Sequence, residues 1–331
     1  MQHHRWKAAL VALVLGVSGV VAACGDDEES SGGGTASGGS DKKSYDMTLI
    51  AGVKGDEFYI TMNCGAQEKA KELGVNLEFQ GPDKFDASLQ TPIVNAVAAK
   101  KPDAVLIAPT DTKAMFAPIK QLSDAGSKVV FVDTTLEQPD VAESQIASDN
   151  EAGGREAAKA LADLIGGSGK VFVVNVKPGI STTDARAKGF EEGAKELGLE
   201  YLGQDYSQDE PQRAASIIKA QLAKNPDIKG VFATNLFSAE GTANGVREAG
   251  KAGDVKIVGF DAGPAQVEQL EKGDVQALIA QKPADIGAQG VEQAVKALNG
   301  EETTPQIGTD SVTITKDNLK ESQDSLYKSS C

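Results

Sequence analysis

The stretch Gly65-Ala66-Gln67-Glu68-Lys69-Ala70-Lys71-Glu72-Leu73-Gly74 opens a segment that runs to Asp111. It returns 124 residues later as Gly189-Phe190-Glu191-Glu192-Gly193-Ala194-Lys195-Glu196-Leu197-Gly198, in a segment that runs to Asn235. The alignment needs no gap, and 15 of its 47 positions are identical. Lys100, Pro102 and Asp103 recur as Lys224, Pro226 and Asp227. Short Ala/Lys/Glu runs resemble one another by composition alone. An ungapped register that also carries the downstream Pro-Asp pair is a duplicated βαβ unit. A chain with two like lobes has one obvious place to hold something, the cleft between them.

The surrounding sequence alternates in the same way. Short apolar runs at 47–53, 75–80, 104–108 and 128–133 read as strands, and a second series reads as strands at 170–176, 200–206, 229–233, 256–261 and 277–281. Between them lie helical stretches with recognisable ends. Asp86 or Ser88 can cap one, Gly74 ends another, and Pro102 and Pro226 stand where a helix cannot continue. Regular alternation of this kind implies parallel sheets covered on both faces. The expected fold class is therefore α/β, with two similar doubly wound lobes, since about 285 residues are too many for one ordinary sheet.

The ends of the chain carry a different message. Arg5 and Lys7 precede an apolar run, residues 8–23, that is too short for a bilayer span of about 20 residues. The run ends Val21-Ala22-Ala23-Cys24, which resembles the lipobox of bacterial lipoproteins with Cys24 as the lipidated residue. Residues 1–23 are thus expected to be a lipoprotein signal peptide. Residues 24–44, acidic and then rich in Gly and Ser, are expected to form a flexible tether, because such a composition buries too little apolar surface to order itself. The expected location is extracytoplasmic, lipid-anchored to the cell membrane. Removing 1–23 takes Arg5 and Lys7 and no acid, so the formal charge moves from −15 to −17. An anionic surface without a basic cluster disfavours nucleic acid as a partner. Cys64 and Cys331 remain. Outside the cytoplasm they are expected to form a disulfide, the alternative being a buried Cys64 and a free terminal thiol.

The duplication also points at chemistry. Val130-Phe131-Val132-Asp133 follows the first repeat, and Val258-Gly259-Phe260-Asp261 follows the second, four residues out of register. Both runs end in Asp at the carboxyl end of a strand, where open α/β sheets bind their ligands. Asp133 and Asp261 are expected to face one another across the cleft. Asp111 and Asn235 match at the preceding strand, and Asp111 also reads as a simple helix cap.

From 47 to about 316 the chain resembles the sugar-binding receptors of ABC importers, the ribose-binding group of periplasmic-type binding proteins. The resemblance rests on Phe58-Tyr59, on Gln145-Ile146-Ala147-Ser148-Asp149-Asn150, on the run ending in Asp261, and on Ile279-Ala280-Gln281-Lys282-Pro283-Ala284-Asp285-Ile286-Gly287. It implies three crossings between lobes, near Ser148, Gln281–Lys282 and Asp310. Lobe one would then hold 45–147 plus 283–309, and lobe two 148–282 plus 310–331, with a helical C-terminal tail from Lys316 to Tyr327. It also implies a ligand set: Asp56, the aromatic pair Phe58 and Tyr59, Asp133, Asn235, Asp261 and the hinge amide Gln281. Carboxylates accept hydroxyl donors, amides do both, and aromatic faces cover the C–H side of a sugar.

Two positions depart from the ribose-binding pattern. Thr134 and Asp184 stand where that pattern has arginines, so ribose itself is not the expected ligand. Lys54 is the candidate replacement cation, and Arg186 reads as facing solvent. A small neutral sugar or polyol fits such a site, whereas an anion would be repelled by Asp56, Asp133 and Asp261. The resemblance implies ABC permease subunits as partners, a monomer, and neither cofactor nor metal. A sensor for a sugar-like signal is the alternative with the same binding step. Enzymes are disfavoured: Gly52-Val53-Lys54-Gly55 lacks dinucleotide-loop spacing, and the only histidines are His3 and His4. A repressor would need a DNA-binding helix pair where the lipobox-like run stands.

Overall fold

The computed structural model describes residues 44–331. The lipobox-like run, Cys24 and most of the expected tether lie outside the described residues. The first lobe opens with β1 (Asp46–Ile50), α1 (Glu57–Leu73), β2 (Asn76–Gln80), α2 (Ala87–Lys100) and β3 (Ala104–Ile107). It continues with α3 (Phe116–Asp124), β4 (Lys128–Val132) and β5 (Ser144–Ser148). The chain then builds α4 (Asn150–Ile165), β6 (Lys170–Asn175), α5 (Ser181–Glu196), β7 (Glu200–Tyr206), α6 (Pro211–Lys224) and β8 (Ile228–Ala233). After these come α7 (Leu236–Glu248), β9 (Lys256–Phe260), α8 (Pro264–Lys272) and β10 (Ala277–Ala280). It ends with α9 (Pro283–Asn299), β11 (Gln306–Thr309) and β12 (Val312–Thr315).

Two six-stranded sheets result, ordered β11-β5-β4-β3-β1-β2 and β12-β10-β9-β8-β6-β7. Every pairing is parallel except β10 with β12. The strand order is the same in both lobes, as a duplicated unit requires. Adding 124 to the start of β1, α1, α2 or β3 gives the start of β6, α5, α6 or β8. The register then slips by four residues at β4 and β9. The cause is local: seven residues, 249–255, join α7 to β9, where three, 125–127, join α3 to β4.

Three chain segments pass between the sheets. β5 lies in the first sheet while α4 packs on β8 and β9 of the second. β10 lies in the second sheet while α9 packs on α1 and β4 of the first. β11 and β12, separated by Asp310 and Ser311, belong to different sheets. Side chains tie the crossings together: Ser148 Oγ donates to Gln281 Oε1 at 2.9 Å and lies 3.2 Å from Thr309 Oγ1.

The first residue of the repeat has a packing reason. A Cβ on Gly65 would lie 2.1 Å from the Ala284 carbonyl oxygen, and one on Gly287 would lie 2.1 Å from that of Met62. In lobe two, Gly189 and Gly154 meet the carbonyls of Glu151 and Arg186 at the same distance. Each lobe thus crosses two helices backbone to backbone at a pair of glycines. This fixes how α1 and α5 are rotated about their axes, and hence which of their side chains face the cleft.

Two sequence expectations change. The strands β5, β11 and β12 were not legible as strands, because they are short and two of them lie at sheet edges. The C-terminal tail is not an α-helix: after β12 it runs through turns and one short 3-10 turn at Gln323–Ser325. Its backbone is held instead by tertiary bonds, including Tyr327 N–H to Ala262 O at 3.0 Å. Cys331 is disulfide-bonded to Cys64 on α1, across 267 residues of sequence.

Candidate functional site

A small cavity lies between the lobes at the carboxyl ends of the strands. Lobe one contributes Asp56, Phe58, Tyr59, Phe85 and Asp133, and lobe two contributes Val176, Ile180, Thr182, Thr183, Arg186, Asp209, Asn235 and Asp261, with Gln281 at the hinge.

Asp133 and Asp261 begin the loops that follow β4 and β9, and both have left-handed backbones, φ 65° and 78°. That conformation is costly for a residue with a Cβ and persists where the surroundings enforce it. Here the enforcement is the same in each lobe. Asp133 N–H donates to Ile146 O on the neighbouring strand and Asp261 N–H to Ile279 O, both at 2.8 Å. The turned backbone aims each carboxylate into the cleft. Tyr59 donates its hydroxyl to Asp133 Oδ2 at 2.6 Å. Asp261 accepts from Gln281 Nε2 at 2.7 Å, from Tyr327 OH at 3.0 Å and from Leu236 N–H at 3.0 Å.

Asp56 caps α1, accepting from Phe58 N–H at 2.8 Å, while its side chain remains buried in the cavity wall. Phe58 meets Tyr59 edge to face, with centroids 5.0 Å apart. Asn235 caps α7 through its oxygen and donates its amide to Asp209 Oδ1 at 2.7 Å. Burial pushes the Asp133 and Asp209 carboxyls up to about 6. Burial, and then the neighbouring Asp261 and Asp209 charges, hold Asp56 well above the ordinary carboxylate range. The site is thus rich in acceptors and desolvated, an arrangement suited to a ligand that brings many hydroxyl donors.

The cation among these carboxylates is Arg186, which corrects the expectation that it faces solvent. It is 3 % exposed. Its Nε donates to Asn150 Oδ1 at 2.8 Å and a terminal nitrogen to Thr234 O at 2.9 Å, and the guanidinium lies 3.8 Å from the centroid of the Phe260 ring. Asp184, two residues earlier on α5, turns the other way. It accepts from Gly179 N–H at 2.8 Å and from Asn175, and does not line the cavity. Lys54 is exposed and lies outside the lining. Thr134 donates to Pro109 O at 2.8 Å and faces a neighbouring recess, not the main cavity. Lys54, Thr134 and Asp184 thus stand outside the lining of the main cavity. Asp111 does not cap α3, whose N-cap is Met115; it closes the preceding turn, accepting from the backbone N–H of Lys113 and Ala114.

Sequence reading missed Phe85, Thr182, Thr183 and Asp209. The signal was present in the repeat. Shifting Phe58, Tyr59 and Phe85 by 124 gives Thr182, Thr183 and Asp209, and all six line the cavity. Thr183 Oγ1 is buried without a hydrogen-bond partner among the described residues. A ligand hydroxyl would satisfy it.

The cleft is closed. Across its lip Lys84 Nζ meets Glu210 at 2.8 Å, and Lys177 Nζ donates to Phe85 O at 2.8 Å. Thr112 N–H donates to Gly179 O and Thr135 N–H to Ser181 Oγ, both at 3.0 Å. Two like α/β lobes, joined by three crossings and shut on a polar, aromatic-walled cavity, define a hinge-closing solute receptor. The chain belongs to the periplasmic binding protein family, in the group that holds the sugar-binding components of ABC importers: the periplasmic binding protein domain model matches residues 47–302. The ribose import binding protein of Salmonella typhimurium is 31% identical over 268 residues, covering 80% of this chain and 88% of that one. The D-ribose/D-allose-binding protein of Pseudomonas aeruginosa is 31% identical over 281 residues, covering 81% and 86%. Among solved structures, an ABC transporter solute-binding protein of Agrobacterium vitis bound to alpha-D-tagatopyranose is 43% identical. It superposes with a TM-score of 0.83 over 86% of this chain and 99% of that one. A second A. vitis solute-binding protein, with bound D-fucose, is 29% identical with a TM-score of 0.81, covering 85% and 100%. Among the described residues no helix is long and apolar enough to cross a membrane.

Proposed function

We propose that this chain is the membrane-anchored receptor of an ABC-type carbohydrate importer and captures a small neutral sugar or polyol between its lobes without chemical change. The observation that carries the proposal is the pair Asp133 and Asp261, held in matching left-handed turns on opposite lobes and joined in one cavity by Arg186 and Phe58. Acceptors from both lobes bind hydroxyls on both sides of one ligand, so ligand favours the closed form by its differential affinity for it. Phe58 covers a C–H face, and Arg186 supplies fixed donors that the carboxylates cannot. Three further carboxylates beside Asp133 (Asp56, Asp209 and Asp261) oppose an anionic ligand.

The solved relatives with bound tagatose and fucose support a small neutral sugar as ligand, since they share this fold. The closed receptor then docks on the two halves of a permease, one lobe to each, as a monomer. A lipid on Cys24 and the 24–44 tether would keep it at high effective concentration near that permease.

The test is a thermal-shift and calorimetric screen over D-tagatose, D-fucose, D-allose, D-ribose, D-arabinose and small polyols. At 100-fold excess over the dissociation constant the true ligand adds about 2.7 kcal/mol of stability. The proposal fails if none of the panel raises the melting temperature.

A further inference from the structure

Residues 316–331 leave the second sheet after β12 and finish on the first lobe. Tyr327 is the crossing point. Its backbone N–H donates to Ala262 O in lobe two at 3.0 Å, and the next N–H, that of Lys328, donates to Thr61 Oγ1 on α1 in lobe one at 2.7 Å. The tail then ends in the disulfide to Cys64, also on α1. The lobes therefore have a fourth connection, and it is closed by a covalent bond.

The Tyr327 side chain is built into this crossing. It is 5 % exposed and packs against Phe58, centroids 5.9 Å apart. Its hydroxyl accepts from Gln281 N–H, in the middle hinge segment, and donates to Asp261 Oδ1, both at 3.0 Å. One phenol thus touches an aromatic of lobe one, the carboxylate of lobe two and the backbone of the hinge. A chain that ended at β12 would lack this residue.

We propose that the C-terminal strap limits how far the lobes open, and that Tyr327 is a positioning residue that holds Asp261 for the ligand. The second part rests on the reading of the cavity as a sugar site; the first does not. Opening a hinge separates Ala262 from α1. The bond of Lys328 N–H to α1 can break while that of Tyr327 N–H to lobe two holds, and the disulfide remains. Only four Cα steps link Tyr327 to Cys331, so the strap reaches at most roughly 14 Å when fully extended. Without the disulfide the tail end is free and sets no such bound. A receptor kept from opening widely loses less freedom on closing and binds more tightly for the same contacts.

The experiment uses the full chain as wild type, Cys331→Ser and Tyr327→Phe. Spin labels are placed by cysteine-independent chemistry at Leu89 on α2 and Gln212 on α6, both exposed near the lip. Pulsed EPR distances are recorded without sugar. The Cys331→Ser distribution should move to longer distance and broaden relative to wild type; identical distributions overturn the limiter. Calorimetry with D-tagatose, D-allose and D-ribose should find Tyr327→Phe about tenfold weaker, the size expected when one hydrogen bond to a buried carboxylate is lost. Its disulfide should stay intact by mass. Unchanged affinity overturns the positioning role. If no sugar binds the wild type, the cavity reading fails and the positioning role falls with it, while the distance measurement still decides the limiter.

Discussion

Replacing Asp133 by Asn should make the ligand-free protein more stable at neutral pH and a poorer receptor. Burial raises the Asp133 carboxyl to about 6 from an ordinary 3.8, against the opposing pull of Arg186 and the Tyr59 hydroxyl. The folded state therefore holds this proton more tightly than the unfolded chain does. Keeping the group ionised costs the native state about 3 kcal/mol once the pH is above the folded value. As the pH falls through 6 toward 4, the folded carboxyl takes up its proton and the cost disappears. Asn has the same shape, still accepts from Tyr59 and carries no charge. The folded value already contains the pull of Arg186 and Tyr59, so the exchange leaves a gain of up to about 3 kcal/mol at pH 7.5. Urea denaturation of the two proteins at pH 7.5 and pH 5 measures this. The gain should be full at the higher pH and about halved at the lower, where the unfolded carboxyl is still ionised. Calorimetry should find sugar binding weakened by about 10- to 100-fold, because the carboxylate is a double acceptor and the amide is not. A variant less stable than wild type at pH 7.5, or a gap that does not narrow by pH 5, would refute the reasoning.

Arg186→Lys should weaken sugar binding at least about tenfold and lower stability, since an ammonium cannot serve Asn150 and Thr234 while lying over Phe260; calorimetry with a thermal melt checks both. Gly65→Ala should cost about 2–3 kcal/mol, because its Cβ would sit 2.1 Å from the Ala284 carbonyl and α1 must move off α9; urea midpoints test it, and a change below 0.5 kcal/mol would contradict the crossing described. Lys84→Ala should alter sugar affinity less than about threefold, since the lip pair with Glu210 is exposed and screened. Cys24→Ala should release the protein from the membrane fraction of cells, and unchanged membrane association would remove the case for a lipid anchor there.

The 124-residue repeat made the two-lobed α/β fold legible, because backbone periodicity and turn chemistry are local properties. The same locality exposed Asp133 and Asp261: a strand that ends in Asp in both copies places its carboxylate at the binding edge whatever packs around it. Phe85 and Asp209 were within reach of the same repeat, since one maps onto the other, but neither stands in a conspicuous motif. The choice between Asp184 and Arg186 lay beyond local pattern. Two residues apart on a helix point to nearly opposite sides, and a 3.6-residue period does not say which side meets the cleft. The Gly154–Gly189 crossing of α4 and α5 decides it by setting the rotation of α5, which turns Arg186 inward and Asp184 toward its own loop. Tyr327 is a stronger case still. Its partners Phe58, Ala262, Asp261 and Gln281 come from three separate elements of both lobes, so its place follows only from where the folded chain brings the tail. By itself the sequence determined the lobes and the strand-end carboxylates, which depend on local order. The tertiary structure alone decided the buried cation and the tail's grip on the hinge, because contacts between distant segments depend on how helices are rotated and seated.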